Sequence, residues 1–159
     1  MIIIAVATVA ISVLYGVILI GLGKYHLEFK TAGIYYMIGS ASHAIYSTTN
    51  GGAAFAFSIL SAVFSVLYVL KFAVAMSNSF DNVASYMAIS WESFKKAYTY
   101  VYGGIVICTL LCFFPILNIL AIIALFLLSL AAIGLSIWQI VLLVRSSNVM
   151  HQYSTAIHA

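Results

Sequence analysis

Residues 116–144 read ILNILAIIALFLLSLAAIGLSIWQIVLLV, a run of 29 positions without one charged side chain. At 1.5 Å per residue, a helix of this length extends about 44 Å, which exceeds the roughly 30 Å of a bilayer's hydrocarbon core. The run therefore predicts a transmembrane helix that is tilted or lies partly outside the hydrocarbon. Arg145 ends the uncharged run.

The composition of the whole chain agrees with this stretch. Of its 159 residues, 65% are hydrophobic and 6% are charged, with six Lys/Arg and three Asp/Glu. Soluble domains carry roughly a quarter charged residues, and disordered chains combine high charge with low hydrophobicity, so both classes are excluded. We expect an integral membrane protein with no room for a catalytic domain outside the bilayer. A net charge of +3 does not indicate nucleic-acid binding.

Charged and turn-forming residues divide the chain into five predicted transmembrane helices. The polar segment 24–30 ends the first, Asn50-Gly51-Gly52 separates the second from the third, and Pro115 separates the fourth from the fifth. The predicted spans are residues 2–23, 31–47, 53–76, 97–114 and 116–144, followed by a polar tail at 146–159. The fold class predicted is therefore all-α, a multipass helix bundle that forms one membrane domain over residues 1–159. The second span is the least apolar and could instead be re-entrant.

A stretch between the third and fourth spans has a different pattern. In residues 79–96, apolar side chains recur at steps of three and four, while charged and polar side chains fall elsewhere. The apolar positions are Phe80, Val83, Met87, Trp91 and Phe94. This pattern predicts an amphipathic helix lying in the membrane interface. The alternative is an ordinary connector whose aromatic side chains pack against the bundle.

The basic residues predict the orientation. With five spans, all six Lys/Arg lie on the same side of the membrane, with Lys71 reaching the interface from the end of the third span. Positively charged residues mark the cytoplasmic side. We therefore expect the N-terminus outside and the C-terminus in the cytoplasm, most simply in a plasma (inner) membrane.

Small side chains form stripes along several predicted spans. In lipid, small residues let helices approach closely, so these stripes predict helix-packing faces. The positions are Ser12, Gly16, Ser58, Ser61, Gly104 and Cys108. The partner helix could belong to the same chain or to another subunit, and the sequence leaves both open.

Ser40 and His43 are candidates for a polar cavity. His43 is the only ionisable residue deep within a predicted span, and such residues are often functional, although a neutral imidazole bonded to a neighbouring helix is the simpler interpretation. A haem would need a second axial ligand, and His26 lies at a different depth. Cys108 and Cys112 share a helix face, but two thiols alone are a weak metal signal. We expect no metal and no cofactor.

Two segments share the pattern F-K-x-A-x-x-Y, beginning at Phe29 and at Phe94, and Gly39 and Gly104 follow at the same offset. Each copy opens a hydrophobic hairpin. Such a match arises readily by chance in a chain that consists mostly of a few hydrophobic residue types. The alternative is duplication of a helical hairpin.

No arrangement of nucleophile and base, no phosphate-binding loop and no set of metal ligands is evident in the sequence. We therefore expect a non-enzymatic membrane protein that serves as a structural or accessory subunit. Its expected partners are the lipid bilayer and either further copies of itself or other membrane subunits. The alternative is a small channel or transporter whose polar path forms on oligomerisation.

Overall fold

A computed structural model describes the backbone of residues 2–112, 114 and 117–157, and the side chains of residues 9–155 within these ranges. Over the described residues the chain forms five α-helices and no β-strand, which confirms the all-α prediction. The helices are α1 (Ile2–Leu22), α2 (Leu27–Tyr46), α3 (Gly52–Phe80), α4 (Ser85–Leu111) and α5 (Asn118–Ile157).

The structure has turns at two of the positions predicted from the sequence. The segment after α1 contains Lys24, and the segment between α2 and α3 contains the Asn-Gly-Gly sequence. Gly51 has a φ of 72°, a backbone conformation that residues with a Cβ rarely adopt. The predicted turn at Pro115, the first residue of the fifth predicted span (Ile116) and His158 of the tail lie outside the described residues.

The prediction of a separate interfacial helix at residues 79–96 is wrong. Helix α3 continues to Phe80, and α4 begins at Ser85 and runs without a break through the predicted start of the fourth span. The apolar face is buried against protein, with Trp91 and Phe94 both 0% exposed. An amphipathic pattern requires an apolar surface opposite it, and here another helix supplies that surface. The alternative interpretation, aromatic packing within the bundle, is the one that the structure supports.

The predicted polar tail at 146–159 is helical as far as Ile157. Helix α5 continues through it to Ile157, giving a single helix of 40 residues. At 1.5 Å per residue this helix is about 60 Å long, twice the thickness of a hydrocarbon core. Ser146 is buried, with 3% of its surface exposed, because it packs against α4.

Among the described residues, two helices are long and apolar enough to cross a membrane: α3, and α5 over Asn118–Thr155. The most apolar 18-residue stretch of α5 is only 11% buried, and α3 exposes Phe55, Ile59 and Val63. A soluble protein buries such helices in its core, whereas these expose their Leu, Ile and Phe side chains. The two helices therefore suggest membrane association.

The chain divides into two compact units, Met1–Ala75 and Met76–Ala159, with the boundary inside α3. In the first unit, α1, α2 and the larger part of α3 pack together around Leu19, Phe29 and Phe72. In the second unit, α4 and α5 pack as an antiparallel pair. Its most buried large side chains are Phe80, Met87, Trp91, Phe94 and Leu142.

Each unit contains a helical hairpin with similar internal contacts. Phe29 packs edge-to-face on Phe72 across the α2–α3 hairpin, with ring centroids 6.0 Å apart. Phe94, which lies 65 positions after Phe29, packs edge-to-face on Trp138 across the α4–α5 hairpin at 5.7 Å. Helices α2 and α4 also end 65 residues apart, at Tyr46 and Leu111. The partner rings are 66 positions apart and the two helices begin 58 residues apart, so duplication of a helical hairpin stays a prediction.

Candidate functional site

Three tyrosines from three different helices meet inside the first unit, and we call them the tyrosine cluster (Tyr15, Tyr36 and Tyr68). The hydroxyl groups of Tyr15 and Tyr68 share a hydrogen bond of 2.8 Å. The ring of Tyr36 lies 4.9 Å from that of Tyr15 and 5.1 Å from that of Tyr68, both edge-to-face. The cluster therefore joins α1, α2 and α3 at one level.

Ser12, a predicted packing residue, belongs to the same neighbourhood. The hydroxyl of Tyr36 donates a long hydrogen bond of 3.5 Å to the Ser12 hydroxyl oxygen. Hydroxyl groups that are partly buried between packed helices bond to each other when few other partners are in reach. The arrangement is suited to holding three helices together, and it contains neither a base nor a nucleophile paired to one.

The tyrosine cluster was not among the predicted positions. Tyr15 precedes Lys24 by nine residues, Tyr36 follows Lys30 by six and Tyr68 precedes Lys71 by three. Because the distance from the nearest lysine differs on each helix, the sequence carries no clear signal that the three rings meet.

Gly16, another predicted packing residue, lies where α1 and α2 cross most closely. A Cβ atom on Gly16 would overlap the Met37 side chain, and one on Gly33 would lie 2.9 Å from the backbone oxygen of Gly16 and 3.0 Å from the backbone nitrogen of Ile20. Backbone atoms cannot move aside as a side-chain end can. Glycine at these positions therefore permits the close helix approach.

Ser61 and Gly104 also lie at contacts within the chain. Ser61 is buried, and its backbone oxygen lies 3.6 Å from the Cβ position of Gly39 on α2. Gly104 faces Leu128 of α5, whose side chain lies 3.2 Å from the Cβ position of the glycine. For these residues the intramolecular alternative is the one that the structure supports.

The other predicted positions are not brought into such contacts. Ser58 on α3 and Cys108 on α4 are half-buried, and Cys108 is a free thiol. Ser40 is half-buried, while His43 is exposed on the surface of α2, with its ring 6.0 Å from that of Tyr46. The polar cavity at Ser40 and His43 stays a prediction.

The second unit is held together by a buried aromatic cluster. The indole nitrogen of Trp91 donates a 3.0 Å hydrogen bond to the Ser146 hydroxyl oxygen. Phe94 packs edge-to-face on both Trp91 and Trp138, at 5.7 Å from each. These contacts fix the N-terminal half of α4 against the C-terminal half of α5.

Searches against protein-family models, curated proteins and solved structures gave no match. Within the part of the chain that the structure describes, no group of three or more His, Cys, Asp or Glu side chains could hold a metal ion. The exposed surfaces of the helices and their charges are therefore the features from which a function can be inferred.

Proposed function

We propose that this protein is a small, non-enzymatic, multipass membrane protein that serves as a structural or accessory subunit of a homo- or hetero-oligomeric complex. In this proposal all five helices cross the bilayer. The shortest, α2, has 20 residues and is about 30 Å long, the thickness of the hydrocarbon core. By total length each of the five reaches about 30 Å, and among the described residues α3 and α5 are also apolar enough to cross.

The charges support one orientation for these helices. In the first unit, Lys30 lies beside the contact between Phe29 and Phe72, and Lys71 lies on its other side, so both are at the same level of the α2–α3 hairpin. In the second unit, Arg145 precedes Ser146, and the Ser146 side chain is hydrogen-bonded to Trp91 of α4. Glu92 follows Trp91, so Arg145 and Glu92 both lie next to this contact. Under the predicted five spans, the Lys and Arg residues of each unit would face the same side, which favours a cytoplasmic C-terminus and an outside N-terminus in a plasma membrane.

The length and the charges of the α4–α5 pair support the accessory role. Helix α5 is about 60 Å long and α4 carries Glu92, Lys95 and Lys96 in its first half, so hydrocarbon cannot cover residues 85–96 or the end of α5. Yet this protruding pair exposes apolar and aromatic side chains. They are Tyr86, Ile89, Met150 and Tyr153, with 61%, 65%, 45% and 48% of their surfaces exposed.

Exposed apolar side chains outside the lipid favour a protein partner. Aromatic residues and Met are enriched at protein interfaces, while Lys, Glu and Asp are depleted there. The exposed side chains Tyr86, Ile89, Met150 and Tyr153 fit that composition, whereas Glu92, Lys95 and Lys96 on α4 do not. A second subunit seated on it would cover side chains that neither lipid nor the rest of the chain covers.

Affinity purification of the tagged full chain in mild detergent tests this proposal. We expect a complex of fixed stoichiometry, measured by light scattering and mass spectrometry. Changing Tyr86→Ser together with Ile89→Ser should release the partner. The matched control changes Ile45→Ser and Tyr46→Ser, an aliphatic and aromatic pair of 41% and 42% exposure on α2. A monomeric wild-type chain without a partner, or equal loss in both variants, would contradict the accessory role.

The alternative function is a channel formed by several copies. The exposure of His43 on α2 favours it, because an imidazole facing outward from an apolar helix would meet a polar lining if a second copy packed there. Ser40 lies almost one turn away on the same helix. Ion flux into vesicles that contain the purified chain, lost on His43→Ala, would support the channel over the accessory subunit.

A further inference from the structure

Lysines from three consecutive segments gather at one end of the first unit. Lys24 lies in the turn after α1, and Lys30 lies in the first turn of α2. The Cβ position of Gly23, next to Lys24, is only 2.6 Å from the Cβ atom of Lys30, so the two lysines start from adjacent backbone.

Helix α3 brings the third lysine to the same end. The buried rings of Phe29 and Phe72 are in contact at 6.0 Å. Lys30 follows Phe29 and Lys71 precedes Phe72, so both lysines lie at the level of this contact. Lys24, Lys30 and Lys71 are all exposed, and we call them the lysine end of the first unit.

The charge of the lysine end is not neutralised within the chain. Glu28 is the only acidic residue in residues 1–75, against three lysines. Among the described residues none of the three lysines is ion-paired, whereas Lys96 in the second unit pairs with Glu92 at 3.3 Å. The lysine end therefore keeps an excess of positive charge that is available to an anion.

The side chains beside these lysines are apolar. Tyr25 and Leu27 are 67% and 69% exposed, and the Lys24 ammonium lies 4.9 Å from the centroid of the Tyr25 ring. Tyrosine is enriched where lipid tails meet headgroups, because its ring is apolar and its tip polar. A free phosphate ion would make no use of Tyr25 and Leu27, whereas a phospholipid would contact both them and the lysines.

We propose that the lysine end binds the phosphate group of an anionic phospholipid, with Tyr25 and Leu27 against the glycerol and upper acyl chain. This inference rests on the proposed membrane location but not on the accessory role. Each lysine near an anionic membrane surface favours binding by about fivefold, so loss of all three should weaken binding by about a hundredfold at low salt.

Binding of short-chain phosphatidylglycerol to the detergent-solubilised full chain tests the proposal, with phosphatidylcholine and inorganic phosphate as comparison ligands. The readout is the apparent Kd from the ligand-dependent rise in thermal stability. We expect wild type to prefer phosphatidylglycerol. The triple variant Lys24→Gln, Lys30→Gln, Lys71→Gln should lose this preference, while the triple Lys→Arg variant should keep it.

The matched control is the triple variant Lys95→Gln, Lys96→Gln, Arg145→Gln, which removes the same charge from the second unit and should keep the preference. Equal loss in both Gln variants would overturn the proposal, as would equal affinity of wild type for phosphatidylcholine or for inorganic phosphate. If the triple Gln variant does not fold, Lys24→Gln alone, in an exposed turn, should weaken phosphatidylglycerol binding about fivefold, and no change there would overturn it. Failure of a partner to co-purify would contradict the accessory role but would leave the lipid-binding proposal standing.

Discussion

Trp91 of α4 donates a 3.0 Å hydrogen bond to Ser146 of α5, and both side chains are buried. The two residues are 55 positions apart in the sequence, so this bond closes the second unit. It also explains why α4 and α5 stay together beyond the predicted spans. The indole ring fills the space between the helices while its polar nitrogen is satisfied by the serine.

Replacing Ser146 by Ala should lower the free energy of unfolding by about 1–2 kcal/mol, because a buried N–H group loses this acceptor. Denaturant titration of the purified chain in detergent, followed by tryptophan fluorescence, measures the change. Ser147→Ala is the control, since Ser147 is exposed. Equal stability of the two variants would show that the hydrogen bond contributes nothing.

Gly33→Ala should separate α1 from α2, because the added Cβ would meet backbone atoms of Gly16 and Ile20 at 2.9 and 3.0 Å. We expect a loss of about 1–3 kcal/mol, as for other overpacked contacts. Gly21→Ala is the matched control on α1, since a Cβ there meets no atom within 4 Å. Thermal unfolding in detergent should show a lower midpoint for the first variant only, and the close approach is contradicted if both unfold like wild type.

The hydrogen bond between Tyr15 and Tyr68 should appear as coupling between the variants Tyr15→Phe and Tyr68→Phe. We expect a coupling energy of about 0.6 kcal/mol, the average for hydrogen bonds between membrane helices. A double-mutant cycle on the free energy of unfolding measures it directly. Tyr100→Phe serves as the control, since Tyr100 is 78% exposed. Strict additivity of the two changes would argue against the bond.

The proposed orientation predicts that Asn50 and Ser147 lie on opposite sides of the membrane. Cysteines introduced at these exposed positions, in a chain with Cys108→Ala and Cys112→Ala, should react with an impermeant maleimide from outside and from the cytoplasm, respectively. Asn50 is a better probe position than Gly51, whose φ of 72° would strain a cysteine. If both introduced cysteines react from the same side, the chain does not cross the membrane three times between residues 50 and 147.

Helix positions could largely be predicted from the sequence, because charge and turn residues interrupt long apolar runs. The predicted third span, 53–76, lies within α3, and the first, 2–23, differs from α1 by one residue. The ends of a helix depend on neighbouring residues in the sequence. Charged residues are unfavourable in hydrocarbon, and glycine adopts the positive φ angles that a turn requires.

The contacts between helices could not be predicted in the same way. The apolar face around Trp91 has the spacing of any amphipathic helix, and spacing alone does not distinguish a lipid surface from a neighbouring helix. Ser146 lies just after Arg145 in a polar stretch, so its burial depends on a tryptophan 55 positions away. The tyrosine cluster likewise requires three separate helices to be packed before the hydroxyl groups of Tyr15 and Tyr68 meet.

The unbroken length of α5 has a mechanical consequence. The helix is a stiff rod of about 60 Å, and the bond from Trp91 makes the first half of α4 move with it. A bilayer that becomes thinner increases the tilt of a helix that spans it. A change in tilt of about 10° would move the far end of such a rod sideways by about 10 Å. In the proposed arrangement, α5 would thus convert a small change in membrane thickness into a large displacement at the cytoplasmic surface.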